Sequence, residues 1–206
     1  MIDTTLLALF IPTFFLVSIT PGMCMTLAMT LGMSIGVRNT LWMMWGELLG
    51  VALVAILAVI GVSSVMLKFP QIFSVLKVIG AAYLFYIGAN MWRSKGKLAI
   101  SETIQTIKVN KKQLFNQGLV TAVANPKGWA FMISLLPPFI NPNIPLTAQL
   151  VVLVAVILVS ELSCMLLYAT GGKTLGRLLT QGDNVGRLNK VSGTLMILVA
   201  FWLAAS

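Results

Sequence analysis

Apolar residues along this chain fall in long, nearly unbroken runs. They show neither the alternation of a half-buried strand nor the one-sided stripe of a surface helix. Runs of the ~20 residues that a membrane-spanning helix needs lie at about 5–35, 40–67, 70–92, 114–140, 147–171 and 187–205. The pattern predicts six helices in an all-α integral membrane protein. Two runs are too long for one straight span. Leu6 to Val37 carries no charge, and Leu114 to Ile140 carries one, Lys127. Each holds a proline well inside it, Pro21 and Pro126. Proline removes a backbone donor and clashes with the carbonyl four residues earlier. Excess length with an internal proline therefore predicts that helices 1 and 4 are tilted, kinked or broken.

The two halves of the pattern resemble each other. Leu76-Lys77-Val78-Ile79-Gly80 opens helix 3, and Asn189-Lys190-Val191-Ser192-Gly193 opens helix 6. Pro21 answers to Pro126, and Glu47 in helix 2 to Glu161 in helix 5. The offsets of the three matches are 113, 105 and 114 residues. Near-constant offsets are what a duplicated three-helix unit leaves behind. Three is odd, so the second copy is inverted across the membrane, as in many secondary transporters. The expected organisation is a first repeat over 1–92, a basic loop over 93–113 and a second repeat over 114–206.

Composition narrows the reading further. The chain is 58% apolar and only 9% charged, against about 25% charged in an average soluble domain. A soluble enzyme, a disordered chain and an ordinary nucleic-acid binder are excluded. Fourteen Lys and Arg against five Asp and Glu give a net charge of +9, and that excess is distributed unevenly. Arg38 lies between helices 1 and 2. Arg93, Lys95, Lys97, Lys108, Lys111 and Lys112 lie between helices 3 and 4. Lys173, Arg177 and Arg187 lie between helices 5 and 6, with Lys190 at the start of helix 6. The opposite side has only Lys68. The positive-inside rule puts the basic loops in the cytoplasm and both termini outside. The basic 3–4 loop could also serve as an anionic-lipid or nucleic-acid patch, but topology accounts for it, and no nucleic-acid partner is expected. Met1-Ile2-Asp3 lacks the basic start of a signal peptide, so the first run is expected to stay as a helix.

Cofactor chemistry has little to build on. The chain has no His, and its two cysteines, Cys24 and Cys164, sit in apolar runs. They cannot form a zinc or iron–sulfur site. No nucleotide-binding or serine-hydrolase motif appears. No cofactor and no metal are expected, and an enzyme is disfavoured.

The residues that can carry chemistry are those an apolar bundle tolerates least. Thr20-Pro21-Gly22 frees polar backbone at membrane depth, which is tolerated only against protein or a water-filled cavity. Asn125-Pro126-Lys127 repeats the pattern with a cation added. Paired proline interruptions in matching positions point to a transport site, although proline kinks also serve packing alone. Lys127 lies about thirteen residues into helix 4, or ~20 Å along it. A charge there costs at least ~2.5–3.5 kcal/mol, so it binds a substrate carboxylate or pairs with Glu47 or Glu161. Those two glutamates are the acids inside the spans. An acid in apolar surroundings near a cation is balanced between its two protonation states. It can relay protons or, kept neutral, pin helices together. Lys77 and Lys190 can snorkel to the headgroups. Glycines four apart, such as Gly32 and Gly36 or Gly46 and Gly50, permit close helix packing. Met25, Met29 and Met33 fill volume, and Trp42, Trp45, Trp92 and Trp202 fall where interfacial anchors sit.

These residues resemble a known family. Thr20-Pro21-Gly22, Lys77-x-x-Gly80-Ala81-Ala82-Tyr83-Leu84 with Gly88, Asn125-Pro126-Lys127, and Leu136-Pro137-x-Phe139 together resemble the LysE/RhtB family of bacterial amino-acid exporters. The resemblance runs nearly end to end. It implies a multi-pass protein of the bacterial inner membrane that exports amino acids or close derivatives, driven by the membrane's ion gradient. It implies substrate-binding roles for Thr20, Pro21, Gly22, Asn125, Pro126 and Lys127, and an often acidic position at Glu161. Two positions depart from the family pattern. Met23 stands where a second proline is common. Val51 stands where an acid is common, with Glu47 one turn earlier on the same face.

The expected function is efflux of an amino acid or similar small zwitterion by proton antiport, with Glu161 and Glu47 coupling the proton. The rivals are a transporter of another solute or anion, and a membrane accessory subunit. Lipids surround the bundle, and the Gly- and Ala-rich faces permit a homodimer. The topology is checked by alkaline phosphatase fusions. A fusion after Ser206 should be active, and one inserted within 94–109 should be inactive.

Overall fold

The computed structural model describes residues 4–68, 70–93, 110–136, 139–141, 144–180 and 184–205. The basic segment 94–109 lies outside the described residues, as do the side chains of Lys77, Lys173, Arg177 and Trp202. Among the described residues there is no β-strand. Eight helices follow one another: α1 Thr4–Ser18, α2 Met23–Ile35, α3 Val37–Lys68, α4 Pro70–Arg93, α5 Lys111–Val123, α6 Pro126–Leu135, α7 Leu146–Thr180 and α8 Asn184–Ala205.

Val37–Gly61 and Leu146–Gly172 are each long and apolar enough to cross a membrane. Leu6–Ser18 and Met23–Ile35 reach that standard as a pair, bent by 58°. Pro21 and Gly22 occupy the gap between α1 and α2. Proline at 21 has no N–H to give Val17 O, which instead accepts from Thr20 N at 3.3 Å and Thr20 Oγ1 at 2.7 Å. Pro126 is the first residue of α6, where its missing N–H costs nothing. Asn125 caps that helix, its Oδ1 accepting from Lys127 N at 3.1 Å.

The expected loops are shorter than the charge pattern indicated: Lys68 closes α3, Arg93 closes α4, Lys111 and Lys112 open α5, and Arg187 lies in α8. A single residue, Gly36, separates α2 from α3. Its φ of +80° is open to glycine alone at little cost, and it leaves Arg38 in the first turn of α3. Gly36 is therefore a turn residue rather than half of a packing pair with Gly32. α7 likewise runs on to Thr180, so Lys173 and Arg177 lie on the helix.

Glycine lets three helix pairs approach backbone to backbone. On α3 and α5, a Cβ at Gly46 would strike Phe115 O, and one at Gly118 would strike Met43 O. On α2 and α7, a Cβ at Gly32 would strike Ala169. On α4 and α8, Gly88 meets Gly193, and Trp92 Nε1 donates to Thr194 Oγ1 at 2.8 Å. Lys190 lies over the same tryptophan ring, 5.9 Å from its centroid.

The buried apolar residues form two clusters. One contains Phe10, Phe14, Val54, Phe131, Phe139 and Ile157, with the Phe10 and Phe139 rings edge to face at 5.0 Å. The other contains Met25, Met29, Met43, Met44, Leu114 and Met165. Along α1–α2, α3, α5–α6 and α7 the chain passes from one cluster to the other. The polar residues Ser18, Thr20, Glu47, Asn125, Lys127 and Glu161 fall between them.

Packing this close makes a sharp test. Gly118→Ala puts a methyl against Met43 O and 2.8 Å from Glu47 N. It should destabilise the purified protein by about 1–3 kcal/mol, read as a lower thermal midpoint. Gly61→Ala, with nothing within 4 Å of the added carbon, should leave the midpoint unchanged or raise it slightly.

Candidate functional site

A cavity of about 50 Å³ lies at the polar layer, lined by its polar residues and by apolar ones such as Phe14, Val54 and Phe131, with room for a few waters at ~10–15 Å³ each. Six of the eight residues singled out from the sequence line it: Thr20, Gly22, Glu47, Asn125, Lys127 and Glu161. Pro21 and Pro126 are not part of the lining. They shape the backbone on which the others stand. Val51 lines the cavity together with Glu47, so the two positions one turn apart face the same space.

Lys127 is the hub. Its stem crosses from the start of α6 to the end of α1. There its ammonium donates to Val17 O at 3.4 Å, to Thr20 O at 3.5 Å and to Thr20 Oγ1. The ring of Phe131, one turn along α6, lies 5.8 Å from the ammonium, a cation–π distance. The last carbonyls of a helix carry its negative dipole end, so the cation is well placed there. Gly22 leaves space beside it: a Cβ at that position would lie 3.7 Å from Lys127 Nζ.

The two glutamates have different surroundings. Glu161 Oε1 accepts from Ser18 Oγ at 2.9 Å, and Glu161 lines the same cavity as Lys127. Glu47 is buried, 1% exposed, beside the Cys24 thiol. Its Oε2 is a buried side-chain oxygen with no hydrogen-bond partner among the described residues. Asn125 Nδ2 lies 3.8 Å from Cys24 Sγ, while its oxygen is committed to the α6 cap.

The two helix gaps are satisfied differently. At the second, the end of α5 is closed locally. Ala124 N donates to Val120 O at 2.8 Å, Asn125 N to Ala122 O at 3.2 Å, and Trp129 Nε1 to Val123 O at 2.8 Å. At the first, Thr20 N and Oγ1 serve Val17 O locally, and further donors come from the other half of the chain: Lys127, and Tyr168, whose hydroxyl donates to Ile19 O at 2.9 Å. The N-cap of α2, Gly22, supplies no side-chain acceptor. The amide end of α2 therefore has no side-chain cap, whereas at the end of α1 the Thr20 hydroxyl already bonds Val17 O. Ser18, Cys24 and Tyr168 were not singled out from the sequence. For Tyr168 there was a signal: it lies seven residues after Glu161, on the same helix face.

Tyr168→Phe removes the donor to Ile19 O and leaves a buried carbonyl short of a partner. The expected loss is about 1–3 kcal/mol, read from thermal unfolding, without loss of any group that lines the cavity.

The chain is similar to known membrane proteins along most of its length. The chain is 29% identical over 191 residues to a homoserine/homoserine lactone efflux protein of Salmonella typhimurium, covering 93% of this chain and 92% of that one. It is 36% identical over 132 residues to an uncharacterised membrane protein of Pseudomonas aeruginosa, covering 61% of each. It is 31% identical over 116 residues to a leucine efflux protein of Salmonella choleraesuis, covering 54% of this chain and 52% of that one. No solved structure matches. The family model described as LysE type translocator matches residues 15–206, and the chain belongs to that family of translocators.

Proposed function

We propose that this protein exports an amino acid or a related small zwitterion from the bacterial cytoplasm by proton antiport. In this reading it has six spans in two inverted three-helix repeats, 1–92 and 114–206, joined by the basic loop 93–113. Helices 1 and 4 are spans broken at Pro21 and Pro126. It sits in the inner membrane with both termini outside. Alternating access rocks one repeat against the other around the cavity.

The observation that carries the reading is the convergence of opposite charges at the α1–α2 gap. Lys127 and Glu161 come from separate helices of the second half; Lys127 meets backbone carbonyls of the first half and Glu161 its Ser18 hydroxyl. A zwitterion complements that arrangement. Its carboxylate meets the amide end of α2 or Lys127. Its ammonium meets Glu161 or the carbonyls at the end of α1. The relatives' names fit this chemistry. Homoserine, homoserine lactone and leucine all carry a primary ammonium, and only two of them a free carboxylate. Glu161 is the coupling group, exposed to the cavity and charge-balanced by Lys127. Glu47, with its unpartnered oxygen, is the second proton acceptor.

The test is efflux from cells loaded with a panel of amino acids by dipeptide feeding. Cells carrying the protein should release a few amino acids faster than cells without it, and Lys127→Ala should reduce that release at least tenfold. Glu161→Gln should flatten its dependence on external pH. Unaltered release across the whole panel would sink the export reading. A fully active Glu161→Gln protein with an unchanged pH profile would remove the coupling role.

A further inference from the structure

Lys127 raises a question that the export reading leaves open. A lysine that recognises a carboxylate should present its ammonium to the cavity. Here the ammonium is already coordinated. Its three donors face three oxygens, Val17 O, Thr20 O and Thr20 Oγ1. The Thr20 hydroxyl spends its own proton on Val17 O and so turns a lone pair toward the ammonium. Phe131 covers it with a ring face, and Glu161 supplies a counter-charge nearby. Neutral oxygens, an aromatic face and a carboxylate at one remove form a receptor for a primary ammonium. Nothing in this cradle is specific to the lysine that fills it.

We propose that the Val17–Thr20 cradle is the subsite for the substrate's primary ammonium, and that Lys127 is a tethered stand-in which holds it in the empty protein. The inference rests on reading this cavity as the substrate site. Val17 O keeps local donors from Thr20, but Thr20 O takes its donor from Lys127, and polar backbone at this depth needs a partner, so the lysine holds the place when substrate is absent. Lysine suits that part because its four-carbon stem is flexible and its ammonium is a compact point charge. When a substrate ammonium takes the cradle, the Lys127 ammonium is released beside it, where the substrate's carboxylate or other oxygen can receive it. The chemical class recognised is thus a primary ammonium first and a carboxylate second.

The experiment uses the purified full chain with Lys127→Ala, which empties the cradle, and radiolabelled methylammonium as the probe. The variant should bind methylammonium saturably, at least tenfold above the wild type. Saturating methylammonium should raise its thermal midpoint by about 3 °C. Tetramethylammonium, which has no N–H to donate, and sodium at matched ionic strength should do neither. Adding Thr20→Val to the variant should abolish the binding. The twenty standard amino acids, tested singly, should include some that displace the probe, while 4-methylpentanoate, the deaminated counterpart of leucine, should not. If the variant is too unstable to purify alone, the monodisperse fraction recovered on extraction with each cation gives the same readout. Binding no greater than in the wild type, equal binding of sodium or tetramethylammonium, or failure of every amino acid to compete would each overturn the proposal. Export by the wild type, measured separately in cells, would be untouched by any of those results.

Discussion

The carbonyls at the end of α1 are the constraint around which the centre of this bundle is organised. Pro21 has no N–H, and Gly22 offers no side chain, so the last turn of α1 loses partners that an unbroken helix would supply. In water this would matter little. Between two apolar clusters each unsatisfied polar group is expensive. The protein answers with donors from across the fold. Lys127 covers Val17 and Thr20, Tyr168 covers Ile19, and Thr20 folds its hydroxyl back onto Val17. The Lys127 and Tyr168 contacts join the first half of the chain to the second at more than one hundred residues' separation. They fix where α6 and α7 stand relative to α1, and so define the cavity.

The second gap shows what this arrangement is not. Asn125, Ala124 and Trp129 close the end of α5 and the start of α6 with local bonds, and little polar backbone is left over. The two gaps occupy matching places in the sequence, yet one is closed by its own residues and the other by Thr20 together with distant ones. Asn125 and Trp129 stand near the positions where the first gap has Thr20 and Cys24. A capping side chain and a long indole donor are therefore present on one side and missing on the other. Lys127 and the Tyr168 hydroxyl reach the first gap, and Glu161 reaches Ser18 beside it.

Much of this was legible in the sequence, and the limits have physical causes. Helix positions followed from run length because an apolar run has few alternatives to a membrane or a core. Arg38 and Lys173 were assigned to loops because charge marks the bilayer edge, not the end of hydrogen bonding. Gly36 and the extension of α7 place those residues on helices instead. Thr20, Lys127, Glu47 and Glu161 stood out because proline or charge inside an apolar run is costly enough to need a reason. Ser18 and Tyr168 did not stand out. Hydroxyls in apolar helices commonly bond their own backbone, as Thr30 does to Thr26 O, Ser163 to Val159 O and Thr170 to Leu166 O. Sequence alone does not reveal which hydroxyl reaches across to another helix. The direction of transport came from family resemblance, since the physics of the site is the same either way.

The way the charges are held bears on function as much as their identity. A buried lysine clasped directly on a buried carboxylate forms a pair whose separation leaves two desolvated charges, and breaking it costs several kcal/mol. Here the cation rests on neutral oxygens, and the glutamate accepts from a serine hydroxyl at 2.9 Å. Each charge is satisfied by a partner of modest strength, with its opposite number close by. A ligand with both charges can then exchange one set of contacts for another without passing through a state in which a charge has no partner. A site that must bind and also release needs interactions that are adequate and replaceable. Carbonyls freed by proline, a threonine and a serine supply that kind of interaction.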